Sequence, residues 1–237
     1  MDRETTALPG TRSLKVWDPW IRLVHWMIVL LIPFSWWTAE THRFDLHVWS
    51  GYTMLTLLVF RIAWGFVGSH TARFRNFLAS PLEGLRHLVH FRKRAPVEIG
   101  HNAAGGWMVL VMLGLLLAQA GSGLFADDEI FTRGPLARAV DSSTSALATS
   151  IHLRVFWLIV GVAVLHVLAI LAYRLVRKQN LVGPMITGAL RLPVVYRGPV
   201  PRMASNWLAA GLLAGAAAAV WALVTWGQAQ GGASAFG

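Results

Sequence analysis

Hydrophobic positions in this chain collect into five long runs, near 20–39, 46–68, 102–124, 151–174 and 205–227, divided by polar and arginine-bearing segments. About 20 apolar residues in a helix cross the roughly 30 Å hydrocarbon of a bilayer, so each run predicts a membrane span. The first follows Trp17-Asp18-Pro19 and carries Pro33 as a candidate kink. The fourth reads IHLRVFWLIVGVAVLHVLAILAYRL, and the fifth is mostly Ala, Leu, Gly and Trp. Between the second and third runs, SPLEGLRHLVHFRKR predicts a short amphipathic helix on the membrane surface, with Ser80-Pro81 as its start signal. The segment 125–150 predicts a long capping loop. No internal repeat is evident.

Composition supports an all-α membrane protein. Hydrophobic residues make up 55% of the 237 and charged residues only 14%, against about 25% charged in soluble domains. Mean hydropathy is +0.53. The net charge of +10 would suggest nucleic acid in a soluble chain. Here the basic residues flank apolar runs, so the expected partner is anionic lipid and not nucleic acid. Arg3, Arg12, Lys15 and Arg22 sit around the start of the first run. Arg73, Arg75, Arg86, Arg92, Lys93 and Arg94 follow the second, and Arg174, Arg177, Lys178, Arg191, Arg197 and Arg202 follow the fourth. The opposite loops hold only Arg43, and Arg133 and Arg138 against Asp127, Asp128, Glu129 and Asp141. The bias predicts a cytoplasmic N-terminus and a periplasmic C-terminus. The N-terminal residues lack the apolar core of a signal peptide. Trp17, Trp20, Trp36, Trp37 and Trp226 lie at run ends, as an interfacial belt requires. The absence of cysteine excludes disulfides, thiolate-held iron–sulfur clusters and covalent c-type haem.

Four histidines then stand out by depth. His152 and His166 are fourteen residues apart in one run, which on a helix is a climb of about 21 Å and a return to within roughly 40° of the same face. His25 lies just inside the cytoplasmic end of the first run, and His47 at the outer end of the second. Depth therefore pairs His25 with His166 and His47 with His152. Neutral imidazole is a strong axial ligand for haem iron, and two such ligands favour electron transfer over oxygen chemistry. Two haems stacked across the bilayer would need this arrangement, with Gly161 and Ala163 letting helices approach. A lone histidine in an apolar helix is commonly a hydrogen-bonded core residue. Four at two matched depths are a different observation, and zinc would need its ligands at one depth.

Arg61 lies fourteen residues after His47 and shares its face. It is a candidate partner for a haem propionate, weighed against a snorkelling role. Arg154 is the outer counterpart, with snorkelling favoured. His101, Asn102 and Arg73 are weak candidates for a quinone pocket at the cytoplasmic end. His87 and His90 read as a solvated basic face. His42 and His70 carry no assigned role.

The motifs RLVHW (22–26), HVWSGY (47–52), RIAWGFVGSHTARFRNF (61–77) and GHNAAGGWMVL (100–110), with the His152–His166 spacing, resemble the bacterial cytochrome b561 and nickel–iron hydrogenase cytochrome b family over about 20–185. The resemblance implies an integral membrane four-helix bundle holding two b-type haems over 1–185. Residues 186–237 would then be a linker and an additional C-terminal transmembrane helix. It carries the axial roles onto His25, His47, His152 and His166. It implies electron exchange in the inner membrane between the quinone pool and a periplasmic partner, whether hydrogenase, cytochrome c or another dehydrogenase. A stand-alone superoxide/quinone oxidoreductase is an alternative within the family. A transporter or a plain membrane anchor is the alternative outside it. Ala103 stands where the family commonly has proline. The fifth helix is a candidate dock for a partner or a second copy in a homodimer.

Overall fold

The computed structural model describes residues 10–91, 99–130, 132–193, 196 and 198–233. Arg3, Arg92, Lys93, Arg94 and Arg197 of the basic loops lie outside the described residues. In chain order the elements are β1 (Thr11–Lys15), α1 (Pro19–Glu40), α2 (Phe44–Val67), α3 (Phe74–Phe77), α4 (Pro81–Val89), α5 (Ala103–Phe125), α6 (Ser142–Leu175), α7 (Val182–Thr187), β2 (Ala189–Pro193) and α8 (Asn206–Ala233). Helices α1, α2, α5, α6 and α8 are long and apolar enough to cross a membrane. The chain is a helical membrane bundle.

Helix starts are set by side-chain caps, because the first N–H groups of a helix have no partner within it. Asp18 Oδ1 accepts from the amides of Trp20 (3.0 Å) and Ile21 (2.9 Å) ahead of α1. Its other oxygen accepts from Trp64 Nε1 at 3.1 Å, tying α1 to α2. Asn102 caps α5 through Gly105 N at 2.7 Å. Ser80 and Glu83 form a reciprocal capping box that opens α4, as the Ser-Pro signal predicts. Pro33 stays within a helix that runs unbroken from Pro19 to Glu40.

The core centres on α2, where Leu58, Phe60 and Trp64 are fully buried. Helix α8 joins this core through Ala209, Ala216, Val220 and Val224. Its small residues allow the close backbone approach that packs helices in lipid. Helix α6 lies mainly along α5, and α1 along α2; the contacts of α6 with α1 or α2 are sparse. Outward-facing Leu153, Trp157, Leu165 and Leu168 are exposed, as lipid-facing positions should be.

Two features differ from the sequence expectation. The fourth span begins at Ser142, not near 151, and runs 34 residues. Asp141 accepts from Thr144 N at 2.9 Å and starts the helix within a Ser/Thr-rich stretch that lacks apolar periodicity. The loop is correspondingly shorter, and His152 sits inside α6, not at its end. The second difference is a small antiparallel pairing of β1 with β2, from Thr11↔Pro193 to Lys15↔Ala189. The Val16 and Trp17 amides both donate to Gly188 O at 2.8 and 3.1 Å. Gly188 has φ of +82°, a conformation glycine adopts without steric cost. The pairing straps the N-terminal segment to the linker before α8.

Candidate cofactor sites between the helices

His47, in the first turn of α2, has Nδ1 2.9 Å from the carbonyl oxygen of Ser35 on α1. A carbonyl only accepts, so Nδ1 carries the proton and the lone pair is on Nε2. His152 on α6 repeats the device, with Nδ1 2.9 Å from Gln119 O on α5. The two rings face each other across the bundle, centroids 6.0 Å apart and planes at 83°. A first-row metal–imidazole bond is about 2.0 Å, so two imidazoles on opposite sides of one metal hold their nitrogens about 4 Å and their centroids about 6 Å apart. The observed spacing fits that demand. Second-shell carbonyl bonds of this kind fix tautomer and ring orientation at metal sites.

The surroundings support the same use. The hydroxyls of Ser35 and Ser50 are 2.6 Å apart and lock α1 to α2 beside His47. Gly51, one turn beyond His47 on the same side, would meet nothing within 4 Å if it carried a Cβ, which leaves bare backbone where a flat ring would lie. Gly123 on α5 is the opposite case: a Cβ there would stand 2.9 Å from His152 Cε1. The amide Nε2 of Gln119 lies 3.2 Å from His152 Nε2, while its Oε1 is buried without a hydrogen-bond partner. Gly161 has open space around it but lies about 180° round α6 from His152, so it borders another face.

At the other end, His25 on α1 stands edge-on to Trp26 at 5.0 Å, and its buried Nδ1 has no partner. His101, just ahead of α5, packs between Trp17 (4.7 Å) and Phe77 (4.6 Å), and its Nδ1 is likewise buried and unpartnered. Burial, and then the nearby Arg61, His166 and His25, push the His101 imidazole down to about 3. Those four side chains therefore share one electrostatic neighbourhood. Arg61 is buried, with Cζ 5.1 Å over the Phe74 ring and one long hydrogen bond from Nη1 to Ala72 O at 3.4 Å. A buried guanidinium so lightly satisfied is suited to a carboxylate.

Other expected residues have different work. Arg73 donates Nε to Gly68 O at 2.7 Å and closes the end of α2. Asn102 caps α5 and donates Nδ2 to Tyr173 OH at 2.7 Å. Arg154 is exposed and lies about 200° round α6 from His152, away from the paired rings. His87, expected on a solvated face, is half-buried, with Nε2 2.7 Å from Tyr173 OH. Tyr173 and Gln119 were missed. Both carried a signal: Tyr173 is seven residues after His166 on the same face, and Gln119 is a polar side chain in an otherwise apolar run.

Five apolar helices with two facing, carbonyl-oriented histidines between them define a class, the helical membrane protein with a candidate cofactor site. A family model described as prokaryotic cytochrome b561 matches residues 16–188, and the chain belongs to that family. It is a bacterial membrane protein, a b-type cytochrome of electron transfer. The match stops short of α8. No curated protein and no solved structure matches the chain.

Proposed function

We propose that the chain binds two b-type haems and carries electrons across the inner membrane between a periplasmic redox partner and the quinone pool. The observation that carries this reading is the His47–His152 pair, 6.0 Å apart with each Nδ1 committed to a backbone carbonyl. His47 and His152 hold the outer group. His25 and His166 hold the inner one, one helical climb of about 21 Å away along α6. When bound, the haems supply one-electron chemistry, and the protein supplies ligation, spacing and electrostatics. Carbonyl bonds to Nδ1 raise the basicity of the ligating nitrogens. Arg61 offers its guanidinium to an inner propionate. Apolar helix faces keep water from the space between.

The quinone meets the inner end, where His101 presents an imidazole nitrogen for hydrogen bonding. Asn102 holds the adjacent turn. The outer partner is a hydrogenase, a cytochrome c or another dehydrogenase that delivers or removes single electrons. In this reading 1–185 form the two-haem unit and 186–237 the linker and fifth span, with the N-terminus cytoplasmic and the C-terminus periplasmic.

The test is a pyridine-haemochrome assay per mole of purified protein, with a visible spectrum. Two haems per chain and a reduced b-type α band are expected. His166→Ala should lose one haem and retain the outer one. A single haem in the unaltered chain would defeat the two-level reading.

A further inference from the structure

A cavity of about 450 Å³ opens at the His47 end of the bundle, between the first turns of α2, the 132–138 segment and the last turns of α8. Helix α8 lies beyond the family match, so this cavity is not part of the shared bundle alone. Its size falls within the roughly 300–1,000 Å³ range of small-ligand sites. One wall is aromatic, with Trp49 and Tyr52 at 5.9 Å from each other and Trp49 stacked on Trp221 of α8 at 6.2 Å. The other wall is polar and carries both signs of charge: Asp45 on α2, and Arg133 and Arg138 on the loop. Arg133 spends Nε on Asp127, which leaves its other guanidinium N–H groups. Thr132 Oγ1 is buried without a hydrogen-bond partner. A buried hydroxyl left unpaired is destabilising, and a ligand oxygen would relieve it.

The level of the cavity narrows the ligand. It sits where α2 starts and where the membrane-crossing part of α8, Asn206–Gln230, ends. That is the interface, where Trp and Tyr bodies meet acyl chains and charged groups meet headgroups. Asp45 offers a negative group to an ammonium, and Arg138 with the edge of Arg133 turned away from Asp127 offers N–H donors to a phosphate, so a ligand that carries both charges matches the two walls. We propose that the cavity binds a zwitterionic phospholipid. Its phosphate lies on Arg138 and Arg133 with Thr132 as neutral donor, its primary ammonium on Asp45, and its upper acyl chain along Trp49 and Tyr52. The site makes α8 a lipid-sealed flank of the bundle, and it depends on neither the haem assignments nor the quinone reading.

The test uses the full chain in detergent, titrated with phosphatidylethanolamine, phosphatidylglycerol or inorganic phosphate. Native mass spectrometry reads bound lipid, and tryptophan-fluorescence melting reads stabilisation. Phosphatidylethanolamine should bind about tenfold more tightly than phosphatidylglycerol, the scale of one charge-assisted hydrogen bond. Asp45→Asn should erase that preference, while Thr132→Val and Arg138→Gln should weaken both lipids. Haem content stays as in the unaltered chain in the Asp45→Asn protein, which separates a lipid-site defect from a folding defect. Equal binding of the two lipids would overturn the assignment. So would inorganic phosphate reproducing the whole stabilisation, or all three variants behaving as the parent.

Discussion

Gly123→Ala is the sharpest perturbation of the outer histidine pair. A methyl at 123 would stand 2.9 Å from His152 Cε1 and 3.2 Å from Nδ1, where ordinary contact begins near 3.4 Å. The ring must therefore withdraw by about half an ångström, which is the tolerance within which a first shell has to be held. It cannot withdraw freely. Its Nδ1 is bonded to Gln119 O at 2.9 Å, one turn away on the same helix, so relief of the clash lengthens the bond that sets the tautomer. Overpacking of this kind costs about 1–3 kcal/mol, and about 1.4 kcal/mol is tenfold in an equilibrium constant. The outer haem should be held about tenfold or more weakly, and its potential should shift. The assay is haemochrome stoichiometry before and after dilution, with a redox titration that resolves the two haems. Gly215→Ala on α8, where a Cβ meets nothing within 4 Å, is the control and should leave both haems in place. Two tightly held haems with unchanged potentials in the Gly123→Ala protein would refute the argument.

Three further outcomes can be checked on the same preparation. Asp18→Ala removes the α1 cap and strands the fully buried Trp64 Nε1; the two losses together should cost about 2–4 kcal/mol in thermal melting, and a change under 1 kcal/mol would show that another acceptor serves. Folded His101 is pushed down to about 3 from an ordinary 6.5, so the unfolded chain binds the proton more readily; stability is full above about 6.5 and declines as pH falls toward 3, by up to about 1.4 kcal/mol per unit. His101→Gln should flatten that acid limb, and an unchanged pH profile would exclude His101 as its source. Tyr173→Phe deletes the hydroxyl between His87 and Asn102, both at 2.7 Å, and hydrogen exchange in 81–89 should rise while the spans stay protected; equal protection would mean α4 is held by Trp107 against Gly84 instead.

The spans, the start of α4 and the approach of His47 to His152 are legible in the sequence because each rests on a local or periodic rule. Twenty apolar residues make a span wherever they fall, and fourteen residues on a helix fix both rise and face. The Ser80-Pro81 start and the His47–His152 pairing follow from such rules. What escaped them was set by partners distant in sequence or by local polar contacts that leave no apolar period. β1 pairs with β2 across some 180 residues, and nothing in TRSLK announces it. The early start of α6 depends on Asp141 as a cap within a polar stretch. Asn102, Arg73 and His87 look available to a ligand or to solvent in the sequence, whereas in the fold backbone carbonyls and Tyr173 hold them. The place of Arg154 away from the His152 face is itself legible, since two residues turn a helix by about 200°.

Helix α6 rests on α5 and touches α1 and α2 only sparsely, yet its histidines face those two helices. On that side Ile159 of α6 is buried in the core that α1 and α2 share, and His152 meets His47 of α2, ring centroids 6.0 Å apart. A group bound between them would join the two helix pairs, and anything that binds only the folded state stabilises it by mass action, by about 2.7 kcal/mol per site at a hundredfold excess over Kd. Haem removal should therefore lower the melting temperature and separate the transition into two. The α1–α2–α8 core, with Trp64 and Ala216 buried, should hold to higher temperature than α6. Hydrogen exchange should rise first along the face of α6 that bears His152 and His166. One cooperative transition at the same temperature with and without haem would mean that α5 alone fixes α6, and that the histidine faces contribute no stability of their own.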